Sequence, residues 1–279
     1  MRLLIVLVLL LPILANAQGT TPVSGSASSI DYYLNLYSSS SGRQAVSHDE
    51  FHDFIGKMEG KRLSFRDDNA FVNHVFVKAH QKFLKSFTQY ASFNELFEKG
   101  NYNCLTGTAI YALLLEHFEI DYKIIETNYH IFILATTNDG NVLLEATDPI
   151  NGFVDQPGDI EKRIQGYRQN EIQEASSRKN YYQYSFDLYN EVKLDELLGL
   201  MHYNIAIVNY NNQQFQSAIS HLDQALELYD SPRIEEFSRV IMLSVVESSL
   251  EPSVKEFYVK KIQLIRKKRV MMVASARAN

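Results

Sequence analysis

The chain has 279 residues, with 27 Lys or Arg against 33 Asp or Glu and a formal net charge of −6. That acidic balance argues against a nucleic-acid binder, which would carry a basic excess or stripe. A single cysteine excludes an internal disulfide, so apolar burial must hold the fold, and the length suffices for one large domain or two small ones.

In chain order, residues 1–17 read as a secretory signal. Arg2 supplies the charge, Leu3 to Leu14 the apolar run and Ala15-Asn16-Ala17 an A-x-A cleavage site. The run is shorter than the about 20 residues that a spanning helix needs. The expectation is an exported protein, periplasmic or secreted, with no stable membrane anchor after cleavage. Residues 18–29 (QGTTPVSGSASS) are small, polar and aperiodic, and read as a disordered spacer.

Ser39-Ser40-Ser41-Gly42 marks a loop, and Ser47-His48-Asp49-Glu50 reads as a capping box opening a helix to about Met58. His48 and His52 stand four apart on that helix, the spacing of a metal pair, although such pairs are commonly solvated, and no metal is expected. Asp67 or Asp68 caps the next helix, whose apolar face (Phe71, Val75, Val77, Phe83, Leu84, Phe87) runs to about Tyr90. His74 and His80 do not share a face and read as structural. Ser92 to Glu98 is a short helix stopped by Gly100.

A further helix begins near Cys104 and buries Ala109, Ile110, Leu113, Leu114 and Phe118. The period then changes to that of strands: Tyr122 to Thr127, Tyr129 to Thr136 and Val142 to Thr147, the last two joined by a turn at Asn138-Asp139-Gly140. Helices followed by antiparallel strands define an α+β class. Residues from Asp159 to about Asn180 read as one helix plus a loop, and Tyr181 to Tyr189 as either strand or buried loop. From Leu194 onward the pattern is helical.

Cys104 has two readings, a buried hydrophobe or a reactive thiol. Thiol catalysis needs a thiolate, a general base and a group that orients the base. A helix N-terminus favours the thiolate, because its unpaired N–H groups and macrodipole attract the anion. His130, a polar ring in an apolar strand, is the candidate base. In a hairpin with a two- or four-residue loop, paired residues have opposite number parity, so His130 shares its face with Glu145 and Thr147 while Asp148 faces away. Glu145 is the preferred third member, with Asp148 the alternative and a plain turn residue in its other reading. Tyr102 and Asn128 are near enough in sequence to line the cleft, and the N–H of Cys104 could stabilise an oxyanion.

Cysteine on a helix start, histidine on a strand and an acid on the next strand resembles the transglutaminase-like superfamily, over about Asn101 to Phe153 (NYNCLTGTAIYALLLEHF…NYHIFIL…VLLEATDPINGF). The resemblance implies a papain-related core over residues 30–185, with Cys104 as nucleophile, His130 as base, and Glu145 or Asp148 as orienting acid. Phe132 stands where members often have tryptophan. The chain has no tryptophan at all, so the resemblance points away from protein cross-linking and toward the protease- and amidase-like members, some of which have lost activity. The implied activity is a thiol-dependent hydrolase or acyl transferase acting on peptide or amide bonds, without a cofactor. Its alternative is an inactive domain serving as a protein-binding scaffold.

Residues Leu198 to Asp230 resemble a tetratricopeptide repeat, with Ala206, Ala218 and Ala225 as the small contact residues and Ile205, Tyr210 and Leu222 as the larger ones. A helical segment over residues 194–270, followed by a tail at 271–279, is therefore expected either to offer a surface to a protein partner or to be a plain bundle. The basic run Lys260 to Arg269 reads as a solvated helix face.

Overall fold

The computed structural model describes residues 26–42, 46–169 and 187–278. The expected signal at 1–17 and most of the spacer, with residues 170–186 of the expected loop and tyrosine-rich stretch, lie outside those residues.

Three helices open the described chain: α1 (Ser26–Ser39), α2 (Asp49–Arg62) and α3 (Asp68–Phe83). Helix α1 takes in the last residues of the expected spacer, because its buried stripe of Ile30, Leu34 and Tyr37 holds a helix to which Ser26 to Ser29 add a leading turn. The capping box expected at Ser47 does not form. His48 is the N-cap of α2 and makes no cap bond, and Ser47 Oγ accepts instead from the Asp49 N–H at 3.2 Å. Asp67 does cap α3, accepting from the Ala70 N–H at 2.7 Å.

Helix α3 stops at Phe83 rather than near Tyr90, and Val77 and Phe87 are exposed. The chain turns extended there because Ser86–Phe87 (β1) pairs in parallel with Asn101–Tyr102 (β2), a partner that local periodicity does not reveal. Between them, α4 (Phe93–Lys99) carries the capping box of Ser92 and Glu95 and ends at Gly100, whose φ of 73° suits glycine. Helix α5 (Cys104–His117) follows, buried on nearly every side from Leu105 to Leu115.

Strands β3 (Asp121–Thr127), β4 (Ile131–Thr137), β5 (Gly140–Leu144), β6 (Phe153–Val154) and β7 (Tyr189–Val192) form one antiparallel sheet in the order β6-β5-β4-β3-β7. Thr137 pairs with Gly140, so the β4–β5 turn has the two-residue loop that the parity argument requires. Strand β7 adds Tyr189–Val192 to the sheet, between the expected core at 30–185 and the helical segment expected from residue 194. The protein is thus α+β, with α5 packed on the sheet at the centre of the main core. Helix α6 (Pro157–Arg168) lies on the sheet's other face, where Ile160, Ile164 and Tyr167 pack with Ile125, Phe132 and Leu143.

Four helices follow: α7 (Leu194–Asn211), α8 (Phe215–Leu228), α9 (Pro232–Glu247) and α10 (Pro252–Ala278). Ala206, Ala218, Ala225 and Leu222 are fully buried between them, while Ile205 and Tyr210 are half-buried. Helix α10 continues through the expected tail. Its basic run is not simply solvated: Lys268 pairs with Asp223 at 3.2 Å and Glu227 at 2.6 Å, and Arg269 with Asp230 at 2.9 Å and with Glu235. Among the described residues no helix is long and apolar enough to cross a membrane.

Candidate functional site around Cys104, His130 and Glu145

The start of α5 is built by Asn103. Its side chain accepts from the Thr106 N–H at 2.9 Å while Thr106 Oγ1 accepts from the Asn103 N–H at 3.0 Å. The same amide donates to the carbonyls of Gln89 and Ala91 at 3.2 and 3.1 Å, fastening the helix start to the loop before α4. Cys104 is therefore the first residue of a fixed helix end. Its thiol is half-buried, and the N–H groups of Leu105 and of Cys104 itself favour the anion. Burial nonetheless pushes the thiol pKa up to about 11, with the charge of Glu145 adding to the rise and Arg233 opposing it. At rest Cys104 is a neutral thiol, so a base must take its proton.

Contacts along α5 bring that base and its acid alongside. Thr108 Oγ1 donates to the carbonyl of Ile131 at 3.4 Å, and Gly107 lies so close to the sheet that an added Cβ would come within 2.7 Å of Ala146 Cβ. Ile131 follows His130 and Ala146 follows Glu145. Cys104 sits about one helical turn before Thr108, at the same end of the sheet.

His130 does not lie within a strand as expected. It closes the β3–β4 turn, its carbonyl accepting from the Thr127 N–H at 2.8 Å and from Thr127 Oγ1 at 3.2 Å. Glu145 likewise stands just beyond the end of β5. Its loop is closed by Gly152, whose N–H bonds the Asp148 carbonyl at 2.8 Å and whose carbonyl accepts from the Glu145 N–H at 2.8 Å. A Cβ at 152 would fall 2.3 Å from the carbonyl oxygens of both Glu145 and Asp148, so the loop admits only glycine there.

Parity selects the acid. His130 Nε2 is bonded to Glu145 Oε2, and Tyr167 donates its hydroxyl to the same oxygen at 3.1 Å. Glu145 Oε1 accepts from the N–H and Oγ1 of Thr147 at 2.8 and 2.7 Å. Burial acts to raise the pKa of Glu145, but His130 and these donors outweigh it and hold the carboxyl below its ordinary value. An ionised carboxylate only accepts, so the shared proton belongs to His130 Nε2 and Nδ1 is left as the basic nitrogen. Asp148 is committed elsewhere. Its carboxylate accepts from the Asn151 N–H at 2.8 Å and pairs with Arg163 at 3.0 Å, which is the turn role noted for it above.

Further residues meet at the site, and of them Tyr167, Arg163 and Arg233 carry no sequence signal. Tyr167, on α6, lays its ring 4.7 Å from that of His130 and 4.9 Å from that of Phe132. Arg163 hydrogen-bonds Tyr167 and so joins Asp148 to Glu145 through a relay. His80, read as structural, meets the Tyr102 hydroxyl at 3.4 Å, and burial lowers its pKa. Asn128 is buried and holds the Leu188 N–H at 2.8 Å. From the helical segment, Arg233 pairs with Glu126 at 2.8 Å and donates to the carbonyl of Thr127, while Tyr229 donates to Glu126 at 2.6 Å.

The Cys104 thiol makes no hydrogen bond to His130 among the described residues, although both lie close to Glu145. The histidines at the start of α2 make separate polar contacts: His48, the N-cap, meets Ser38 Oγ at 3.0 Å and the exposed His52 meets Asp31 at 2.9 Å. Among the described residues no cluster of metal-ligating side chains occurs. Comparison of the chain with known protein families, curated proteins and solved structures finds no match.

Proposed function

We propose that the chain is an exported thiol-dependent hydrolase or acyl transferase that acts on peptide or amide bonds, built on a transglutaminase-like, papain-related core. The observation that carries this reading is the pair of half-buried His130 and buried Glu145, its carboxylate fully bonded and its imidazole left with one basic nitrogen, at the sheet end where α5 presents the chain's single cysteine.

In the reaction, His130 Nδ1 takes the Cys104 proton and Sγ adds to the substrate carbonyl carbon. N–H groups at the start of α5 bear on the oxyanion. As the C–N bond breaks, imidazolium returns the proton to the departing amine and leaves a thioester on Cys104. Water or a second amine, deprotonated by His130, then attacks the thioester, and the thiol is restored with the acid or the new amide as product. Glu145 stays ionised throughout and holds the imidazole in its tautomer.

The test is the alkylation rate of Cys104 against pH in the wild type and in His130→Ala. A free thiol of pKa ~8.5 is only about 1 % thiolate at pH ~6.5, so removing an activating imidazole should slow the reaction there by at least about 50-fold. A second reading, an inactive domain that binds a protein partner together with the helical segment, is favoured by the high thiol pKa and the missing thiol–imidazole bond. It predicts no reaction below pH ~8 and no effect of His130→Ala.

A further inference from the structure

We propose that the helical segment completes the site, with Arg233 and Tyr229 acting as positioning residues that clamp the turn carrying His130. The inference deepens the thiol-enzyme reading and rests on it. Tyr229 and Arg233 flank the joint between α8 and α9, far in sequence from the sheet. Arg233 reaches the last two residues of β3 at once: Nε faces the Glu126 carboxylate at 2.8 Å, and the guanidinium also donates to the Thr127 carbonyl. The Tyr229 hydroxyl donates to the other oxygen of Glu126 at 2.6 Å. Glu126 is 2 % exposed, so the ion pair with Arg233 and the bond from Tyr229 lie away from water.

Thr127 is the next link. Its N–H and hydroxyl both donate to the carbonyl of His130, at 2.8 and 3.2 Å. The backbone that bears the imidazole is thus fixed from one side by Thr127, which Arg233 holds, while the ring is fixed from the other side by Glu145 and Tyr167. A planar guanidinium that bridges a carboxylate and a carbonyl sets an orientation as well as a charge. The joint would give a repeat-like helical segment a role in the chemistry, since a displacement of α9 would shift the His130 turn.

Removing Arg233 alone would strand a buried carboxylate, so the informative variant neutralises both partners. Glu126→Gln combined with Arg233→Met keeps the fold free of an unpaired charge. We expect it to retain the wild-type circular dichroism while Cys104 alkylation at pH ~6.5 falls about 10-fold or more and the pH profile moves toward that of a free thiol. The nitrogen resonances of His130 should show its titration displaced. A profile and a histidine titration superimposable on the wild type would overturn the proposal. Should the double variant not fold, Tyr229→Phe decides, because it keeps both charges and the ring. An unchanged His130 titration there overturns the clamp, and a displaced one supports it. If the wild-type thiol shows no dependence on His130, the thiol-enzyme reading fails by itself, and the histidine resonances still report whether the clamp exists.

Discussion

At the scale of single residues, the site depends on which carboxylate faces His130. Glu145 and Asp148 are three positions apart, yet one is bonded to the imidazole and the other to Arg163. Glu145→Gln replaces an obligate acceptor with a group that can present N–H to His130 Nε2, which disfavours the working tautomer. We expect Cys104 alkylation at pH ~6.5 to fall at least about 10-fold in Glu145→Gln and to stay within about 3-fold in Asp148→Asn. Equal losses in the two variants would mean that parity does not select the acid. Stability follows the same logic. The folded pKa of Glu145 lies below the ordinary 4.5, so its contribution is fully present above about pH 4.5 and is lost as pH falls through the folded value.

At the scale of elements, α5 has to be stopped and aimed as well as buried. Asn103 performs both tasks, since its carbonyl oxygen caps the helix while its NH2 holds two loop carbonyls. Loss of such a cap costs ~1–2 kcal/mol, and here the two carbonyls lose their donor as well. Asn103→Ala should lower stability by about 2 kcal/mol or more in urea melts. Asn103→Asp keeps the cap but has no NH2 to give those carbonyls, so it should fall between the two. A wild-type midpoint for Asn103→Ala would show that the loop contacts carry no energy. Gly107 belongs to the same scale, because its missing Cβ is what lets the start of α5 lie against Ala146, next to the acid.

At the scale of the molecule, the helical segment is not a detachable appendage. Leu197, Leu198, Leu200, Met201 and Tyr229 pack in the main core, while Tyr203 and Ala206 of the same helix α7 pack in the second one. One helix shared by two cores should make unfolding a single transition. The second core also contains an acid-sensitive contact: the rings of His202 and His221 stack at 5.3 Å with their Nδ1 atoms 3.0 Å apart. Burial, with His221 as the second cause, depresses His202 to about 4, and burial lowers His221 as well. An unfolded chain protonates His202 near the ordinary value of 6.5 while the folded chain resists until about 4, so this contribution drops as pH falls across that window and changes no further below it. Calorimetry should therefore show one peak whose Tm falls between pH ~7 and ~5, with a smaller fall in His202→Phe. Two peaks, only one of them sensitive to pH, would refute the shared-core account.

Sequence by itself determined the parts of this protein that depend on short-range pattern. The helical period around Ala109 to Leu114, the strand run of Ile131 to Ala135, the Asn138-Asp139 turn and the alanines of the α7–α8 hairpin all announce their elements, because side-chain periodicity and turn chemistry are local. The turn also carried a long-range consequence, since a two-residue loop fixes which acid shares a face with His130. Tertiary structure decided what has no local signature. It ended α3 early to pair β1 with β2, brought β7 onto β3, and aimed Tyr167 and Arg233 at the site from segments whose sequence reads only as helical. Each of these is a pairing between residues far apart in the chain, set by which surfaces remain to be buried once the local elements have formed.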